Sequence, residues 1–364
     1  MSADWINVAD AELAAKQALE PGPLGYFCGG AGDELTLAEN LEAWRRWRFR
    51  PRVLVDTSRV DTEVNLLGGP LSMPLLVAPV AYQRLAHADG EIAMARAAAD
   101  AGTVMCLSTL ATTRPSEVAA AVSAGRRWFQ LYQFRDEAIT RALMDEAVGA
   151  GFEAIVVTVD APPGGNRERD FRTGFEIPAE IGVPSVSAAL GSDRSVTIKE
   201  TFELMTRAMG WGDFADLASE SSVPVLVKGI LTAEDAALAV EHGAAAVVVS
   251  NHGGRQLDRS PATGDVLTEI VDAVDGRVPV VVDGGIRRGI DMAIALALGA
   301  DAVQVGRPAL WGLAGGGEAG VARVLAMLRA EFELALSLCG CRTPGELTRA
   351  HVQRAPATGV YSRQ

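Results

Sequence analysis

The stretch Val223-Pro224-Val225-Leu226-Val227-Lys228 is a short apolar run that ends on a cation. Its length and branched side chains suit a strand buried on both faces, as in a parallel sheet covered by helices. Outward from it the same pattern repeats. Apolar runs at 74–79, 103–107, 127–132, 153–159, 223–228, 245–250, 278–283 and 301–306 alternate with Ala-rich helical stretches, which is the signature of βα units. Eight such units close a barrel. An open doubly wound sheet is the rival, but it normally has fewer strands and a Gly-rich first βα turn, and none follows Val80. The expected fold class is therefore α/β, a (β/α)8 TIM barrel.

One domain over 1–364 is expected, with an N-terminal helical cap at 1–70, the barrel at 71–340 and a C-terminal tail at 341–364. The cap closes on an extended stretch, Phe49-Arg50-Pro51-Arg52. Thr232 with Asp235 reads as a capping box, and Gly243 and Gly299 fall where a left-handed residue ends a helix. The connection after strand four is far longer than the others and carries Gly, Pro and Ser around 182–195. It reads as a long loop that acts as a lid.

The net charge of −13 argues against nucleic acid or an anionic membrane surface as a partner, so an anionic ligand needs a local cationic cluster. No run is long and apolar enough to span a bilayer, and Met1 to Leu19 lacks the layout of a signal peptide. A cytoplasmic location is expected. Cys28, Cys106, Cys339 and Cys341 lack zinc-type spacing and read as free thiols, with no metal site.

In a barrel of this kind chemistry gathers at the carboxyl ends of the strands. Those ends are Ala78-Pro79, Ser108, Gln130 with Tyr132, Thr158 with Asp160, Lys228, Ser250-Asn251-His252, Asp283-Gly284-Gly285 and Gly306-Arg307. Taken singly, Asp160 could cap a helix, Tyr132 could be core and His252 a satisfied buried imidazole. Together they put a lysine, a histidine, two acids and a tyrosine on one rim. The glycines after strands seven and eight allow close backbone approach, and Arg287 and Arg307 suit phosphate oxygens, so a phosphorylated ligand or cofactor is expected there.

Lys228 is costly in an apolar strand unless paired with an anion or a polarised oxygen. A flavin edge that gains negative charge on reduction is one such partner, and a Schiff base, as in barrel aldolases, is another. His252 and Arg255 share one short loop with intervening glycines. That pairing suits a substrate carboxylate on Arg255 while His252 takes a proton from the adjacent carbon or its hydroxyl, with Asp160 steadying the imidazole.

These motifs, with Tyr26 before Gly30-Ala31-Gly32-Asp33-Glu34, Gln130-Leu131-Tyr132, Thr158-Val159-Asp160, Arg167-Glu168, Leu226-Val227-Lys228-Gly229, Ser250 through Asp258 and Asp283 through Gly289, resemble the FMN-dependent L-2-hydroxy acid oxidases and dehydrogenases over nearly the whole chain. The resemblance implies FMN as cofactor and oxidation of a small 2-hydroxy acid to the 2-oxo acid, with O2 reoxidising the flavin to give H2O2. It implies His252 as base, Asp160 as its partner, Arg255 with Tyr26 as carboxylate clamp, and Tyr132 and Arg167 at the substrate. Ala78, Pro79, Val80, Ala81, Ser108, Gln130, Thr158, Lys228, Ser250, Asp283, Gly284 and Gly285 would surround the flavin, with Arg287, Gly306 and Arg307 on its phosphate. Ala81 resembles the oxidases, where some relatives carry Gly. Leu110 stands where glycolate oxidase-like members carry Trp, so a side chain larger than that of glycolate is expected. The alternative is a dehydrogenase passing electrons to a quinone or protein, whose membrane-bound members carry an apolar insertion that 176–222 lacks. The family also implies a homotetramer or homo-octamer.

Overall fold

The computed structural model describes residues 4–161, 164–178, 181–191, 196–206 and 208–355. Eight parallel strands close into a barrel: β1 (Leu75–Val77), β2 (Val104–Ser108), β3 (Arg126–Leu131), β4 (Ala154–Thr158), β5 (Val225–Ile230), β6 (Ala246–Val249), β7 (Val280–Val282) and β8 (Ala302–Val305). Neighbours in sequence are neighbours in the sheet, and β8 pairs with β1 to complete the ring. The strand positions agree with the sequence reading to within one or two residues.

Alternation along each strand sorts the core into two compartments. Outward-facing Val77, Met105, Phe129, Val157, Val227, Val249, Val282 and Val303 pack against the helices. Inward-facing Leu76, Cys106, Trp128, Val156, Leu226, Val248, Val281 and Ala302 fill the barrel itself. Its amino-terminal end is plugged by an antiparallel ribbon, Val64–Leu66 with Gly69–Leu71, whose Leu66 and Leu71 join the interior cluster. That apolar filling is the floor on which the polar upper end rests.

The expected cap contains three helices, Val8–Ala18, Pro21–Cys28 and Leu35–Arg45. Asn7 caps the first through a reciprocal capping box with Asp10, and Pro21 starts the second at the position where its missing N–H costs nothing. The third lies over the carboxyl ends of the strands. Its Asn40 exchanges two side-chain hydrogen bonds with Asn251, and the Trp44 indole donates to the Gly284 carbonyl at 2.8 Å. The segment at 341–364 is not loose throughout its described part, because Val352–Arg354 pairs antiparallel with Trp47–Phe49.

The connection after β4 is long, as expected, and contains helices at Glu168–Thr173, Pro184–Ala189, Ile198–Leu204 and Trp211–Glu220. Local signals set them, with Pro184 in a first turn and a Thr197–Glu200 capping box; within 182–195, residues 192–195 lie outside the described residues. One expectation needs correction: Lys228 does not end its strand. β5 runs on to Ile230 through a bulge, and Gly229 occupies the bulge at φ +116° because a Cβ there would lie 2.8 Å from the Asp160 side chain. At Thr232 the hydroxyl accepts from the Asp235 N–H at 3.2 Å, and Gly243 and Gly299 are left-handed as expected.

Candidate active site

The next inward layer above the apolar floor is Ala78, Ser108, Gln130, Thr158, Lys228, Ser250, Asp283 and Gln304, one from each strand by the same alternation. Seven of its eight members are polar. Above them a pocket of about 1160 Å³, counting the space where it opens to solvent, is lined by every site residue expected from sequence except Asp160 and Ser250. Those two stand behind the lining. Ser250 accepts from the Lys228 ammonium at 2.8 Å and from the His252 N–H at 3.1 Å. Asp160 accepts from His252 Nδ1 at 2.9 Å.

His252 sits at φ +57°, a left-handed conformation flanked by Gly253 and Gly254 at +65° and +74°. Asn251 fixes the turn by accepting from the Gly254 N–H at 3.1 Å while it holds Asn40. Because a carboxylate only accepts, the proton on Nδ1 points at Asp160 and Nε2 is the open lone pair. Burial pulls the imidazole below its ordinary pKa, with Lys228 and Arg255 adding to the fall and Asp160 opposing it. Burial would raise the Asp160 carboxyl, but His252 and Lys228 outweigh it and hold the carboxyl low. At neutral pH the pair is an ionised carboxylate beside a neutral base.

Lys228 is 4% exposed and lies 3.4 Å from Asp283. Burial works against its charge, yet Asp283 and Asp160 hold the ammonium above its usual range. Three other cations have no such partner. Among the described residues Arg255, Arg287 and Arg307 form no ion pair, and burial brings each guanidinium down to about 10. They remain charged at neutral pH and are braced by neutral groups. Arg255 donates to the Tyr26 and Gly29 carbonyls and lies 4.9 Å from the Tyr26 ring centre. Arg307 donates to the carbonyls of Phe27, Gly29 and Gly253, and Arg287 lies over the Trp311 ring at 4.7 Å. Half-buried cations without carboxylates make an anion-binding site.

The glycines after β7 bring the cap helix close. At Gly285, φ is +80° and a Cβ would stand 1.9 Å from the Asn40 carbonyl oxygen. Gly285→Ala is expected to destabilise the protein by at least about 1–3 kcal/mol and to loosen the helix carrying Asn40, read as a lower melting temperature. An unchanged melting temperature would show that the close approach is dispensable.

Several lining residues were not anticipated: Gln304, Gln256, Ala161 and Phe202. Gln256 donates to the Asp160 and Ala161 carbonyls at 2.9 and 2.8 Å and so fixes the segment after β4. Gln304 was legible as the one polar residue in Ala302-Val303-Gln304-Val305. Phe202 comes from a helix in the connection after β4, where sequence suggested only a loop. Tyr82, also unanticipated, is buried beside the pocket with its ring 6.0 Å from that of Tyr26.

The sequence profile of the FMN-dependent dehydrogenase family matches residues 15–354. The chain is 46% identical to glycolate oxidase 3 of Arabidopsis thaliana over 352 residues, covering 95% of both chains. It is 47% identical to L-lactate oxidase of a Nostoc species over 345 residues, 92% of this chain and 94% of the relative. Among solved structures, mandelate oxidase with (S)-4-hydroxymandelic acid superposes with a TM-score of 0.91 at 42% identity, covering 96% of this chain and 99% of the other. On this agreement of profile, sequence and fold, the chain belongs to the FMN-dependent dehydrogenase family, and FMN is its cofactor.

Proposed function

We propose that this protein, working as one domain over its whole length, oxidises an L-2-hydroxy acid to the 2-oxo acid, with O2 as final acceptor and H2O2 as the second product. The observation that carries this reading is a neutral imidazole and an unpaired guanidinium, His252 and Arg255, on one loop facing one pocket. FMN, when bound, supplies the two-electron acceptor that O2 reoxidises. The residues fit that group: among the described residues Gln130 Nε2, Thr158 Oγ1 and Asp283 Oδ1 are buried without partners around Lys228, and Arg287 and Arg307 offer charge for its phosphate.

Arg255 and Arg167 hold the substrate carboxylate beside Tyr26, whose ring lies within 5.7 Å of both guanidiniums. Burial pushes the Tyr132 phenol well up, so it stays protonated and donates to the substrate's oxygen. His252 Nε2 then takes the proton that leaves the hydroxyl-bearing unit, and Asp160 stabilises the resulting imidazolium. Leu110, Ala161 and Phe202 add apolar lining to the pocket, which favours substrates bulkier than glycolate. A homotetramer or homo-octamer in the cytoplasm completes the proposal. Exposed Leu54, Leu334 and Leu338 offer apolar surface for contacts between copies, and among the described residues no helix is long and apolar enough to cross a membrane.

Because His252 must be neutral to act and its pKa is lowered, kcat/KM is expected to rise with pH through a pKa below 6.5 and to be level at neutral pH. Asp160→Asn removes the group that opposes this fall, so the acid limb moves lower while the plateau drops. A limb at or above 6.5 would contradict the assignment. The activity itself is tested by oxygen uptake and peroxide release with glycolate, lactate and mandelate. Turnover with a quinone or dye and none with O2 would replace the oxidase reading by the dehydrogenase one.

A further inference from the structure

Of the eight residues in the inward layer under the pocket, Gln130, Thr158 and Asp283 each leave one side-chain atom unmet among the described residues, and Gln304 leaves two, a donor and an acceptor. Gln304 is 1% exposed, and among the described residues neither its amide nitrogen nor its amide oxygen has a partner. Its neighbours are settled in part: Ser108 donates to the Gln130 oxygen at 3.2 Å, Lys228 donates to Ser250, and Lys228 pairs with Asp283. An amide buried with both ends unmet is costly, because it loses water at two donors and two acceptor lone pairs and gains nothing in return. The position does not require polarity for the fold, since the inward residues beneath it, Ala302 on the same strand and Leu76 on the paired strand, are apolar.

Gln304 lines the pocket and precedes Gly306 and Arg307 by two and three residues. Its place on β8 therefore lies directly below the cationic end of the pocket, while Gln130, Thr158 and Lys228 line the opposite arc on β3 to β5.

We propose that Gln304 is an FMN-binding residue, whose amide both donates to and accepts from polar atoms of the cofactor, and which is carried at a cost to the stability of the FMN-free protein. This rests on the pocket being the FMN site. The amide suits a ligand that offers donors and acceptors together, as the hydroxyls and ring edge of FMN do.

The test compares wild-type and Gln304→Met apoprotein, a change that keeps the length of the side chain and removes its polarity. Two quantities are measured: the dissociation constant for FMN by fluorescence titration, and the melting temperature without FMN. The proposal expects FMN to bind about tenfold more weakly to the variant, with the apoprotein melting at or above the wild-type temperature. A merely structural amide would move the two the other way, lowering the melting temperature and leaving FMN affinity within twofold. That outcome overturns the proposal, as does unchanged affinity with raised stability, which would mean that water alone meets the amide. If the Met variant does not fold, Gln304→Ala and Gln304→Leu are read in the same way. Failure of wild-type apoprotein to take up FMN would instead overturn the placement of FMN in this pocket, which keeps the two failures distinct.

Discussion

Anaerobic bleaching of the FMN-loaded protein by a 2-hydroxy acid is expected to slow by about a hundred- to ten-thousand-fold in His252→Asn, the range a positioned general base supplies. Asn is a cleaner substitution than Ala because residue 252 has φ +57°, a left-handed conformation that Asn adopts more readily than other residues with a Cβ. The loop therefore keeps its shape, and the loss reports the missing Nε2 lone pair rather than a collapsed turn. FMN affinity is expected to stay within a few-fold of wild type, because its proposed contacts lie on the barrel layer and the arginines. Near-normal bleaching in this variant would remove His252 from the chemistry.

The second large effect is on stability. Lys228 and Asp283 form a buried pair at 3.4 Å with side-chain exposures of 5% and 9%, and the ammonium also donates to Ser250. Lys228→Met strands the Asp283 carboxylate, and breaking a buried pair from one side costs about 3–5 kcal/mol. Urea unfolding of the apoprotein reads this directly, apart from any loss of FMN. The double variant Lys228→Met with Asp283→Leu is expected to recover much of the loss, because neither charge is then left alone. If the single variant were as stable as wild type, the pair would carry no structural weight.

The barrel was legible because its strands are short, apolar and buried on both faces, so each stands out between Ala-rich helices. The chemistry was legible because polar residues at strand ends have few structural reasons to be there. What the sequence hid was long-range. Arg255 and Arg307 are steadied by the carbonyls of Tyr26, Phe27 and Gly29, contacts more than 200 residues apart that no local pattern encodes. Gly229 is set by Asp160, two residues past the end of the neighbouring strand, so the bulge after Lys228 could not be read from β5 alone. The helices after β4 were missed for a different reason: Gly, Pro and Ser there read as breakers, when Pro184 and Thr197 in fact start helices. Gln304 lies two residues short of the Gly306-Arg307 end of β8, and only period-two alternation places it in the same layer as Ser108 and Gln130.

The most direct measurement is a single anaerobic mixing of the FMN-loaded protein with an L-2-hydroxy acid such as lactate or mandelate, followed by air. The flavin colour is expected to be lost, to return on admitting oxygen, and to do so with one H2O2 for each 2-oxo acid formed. A protein that binds FMN yet keeps its colour with every L-2-hydroxy acid offered would contradict this expectation.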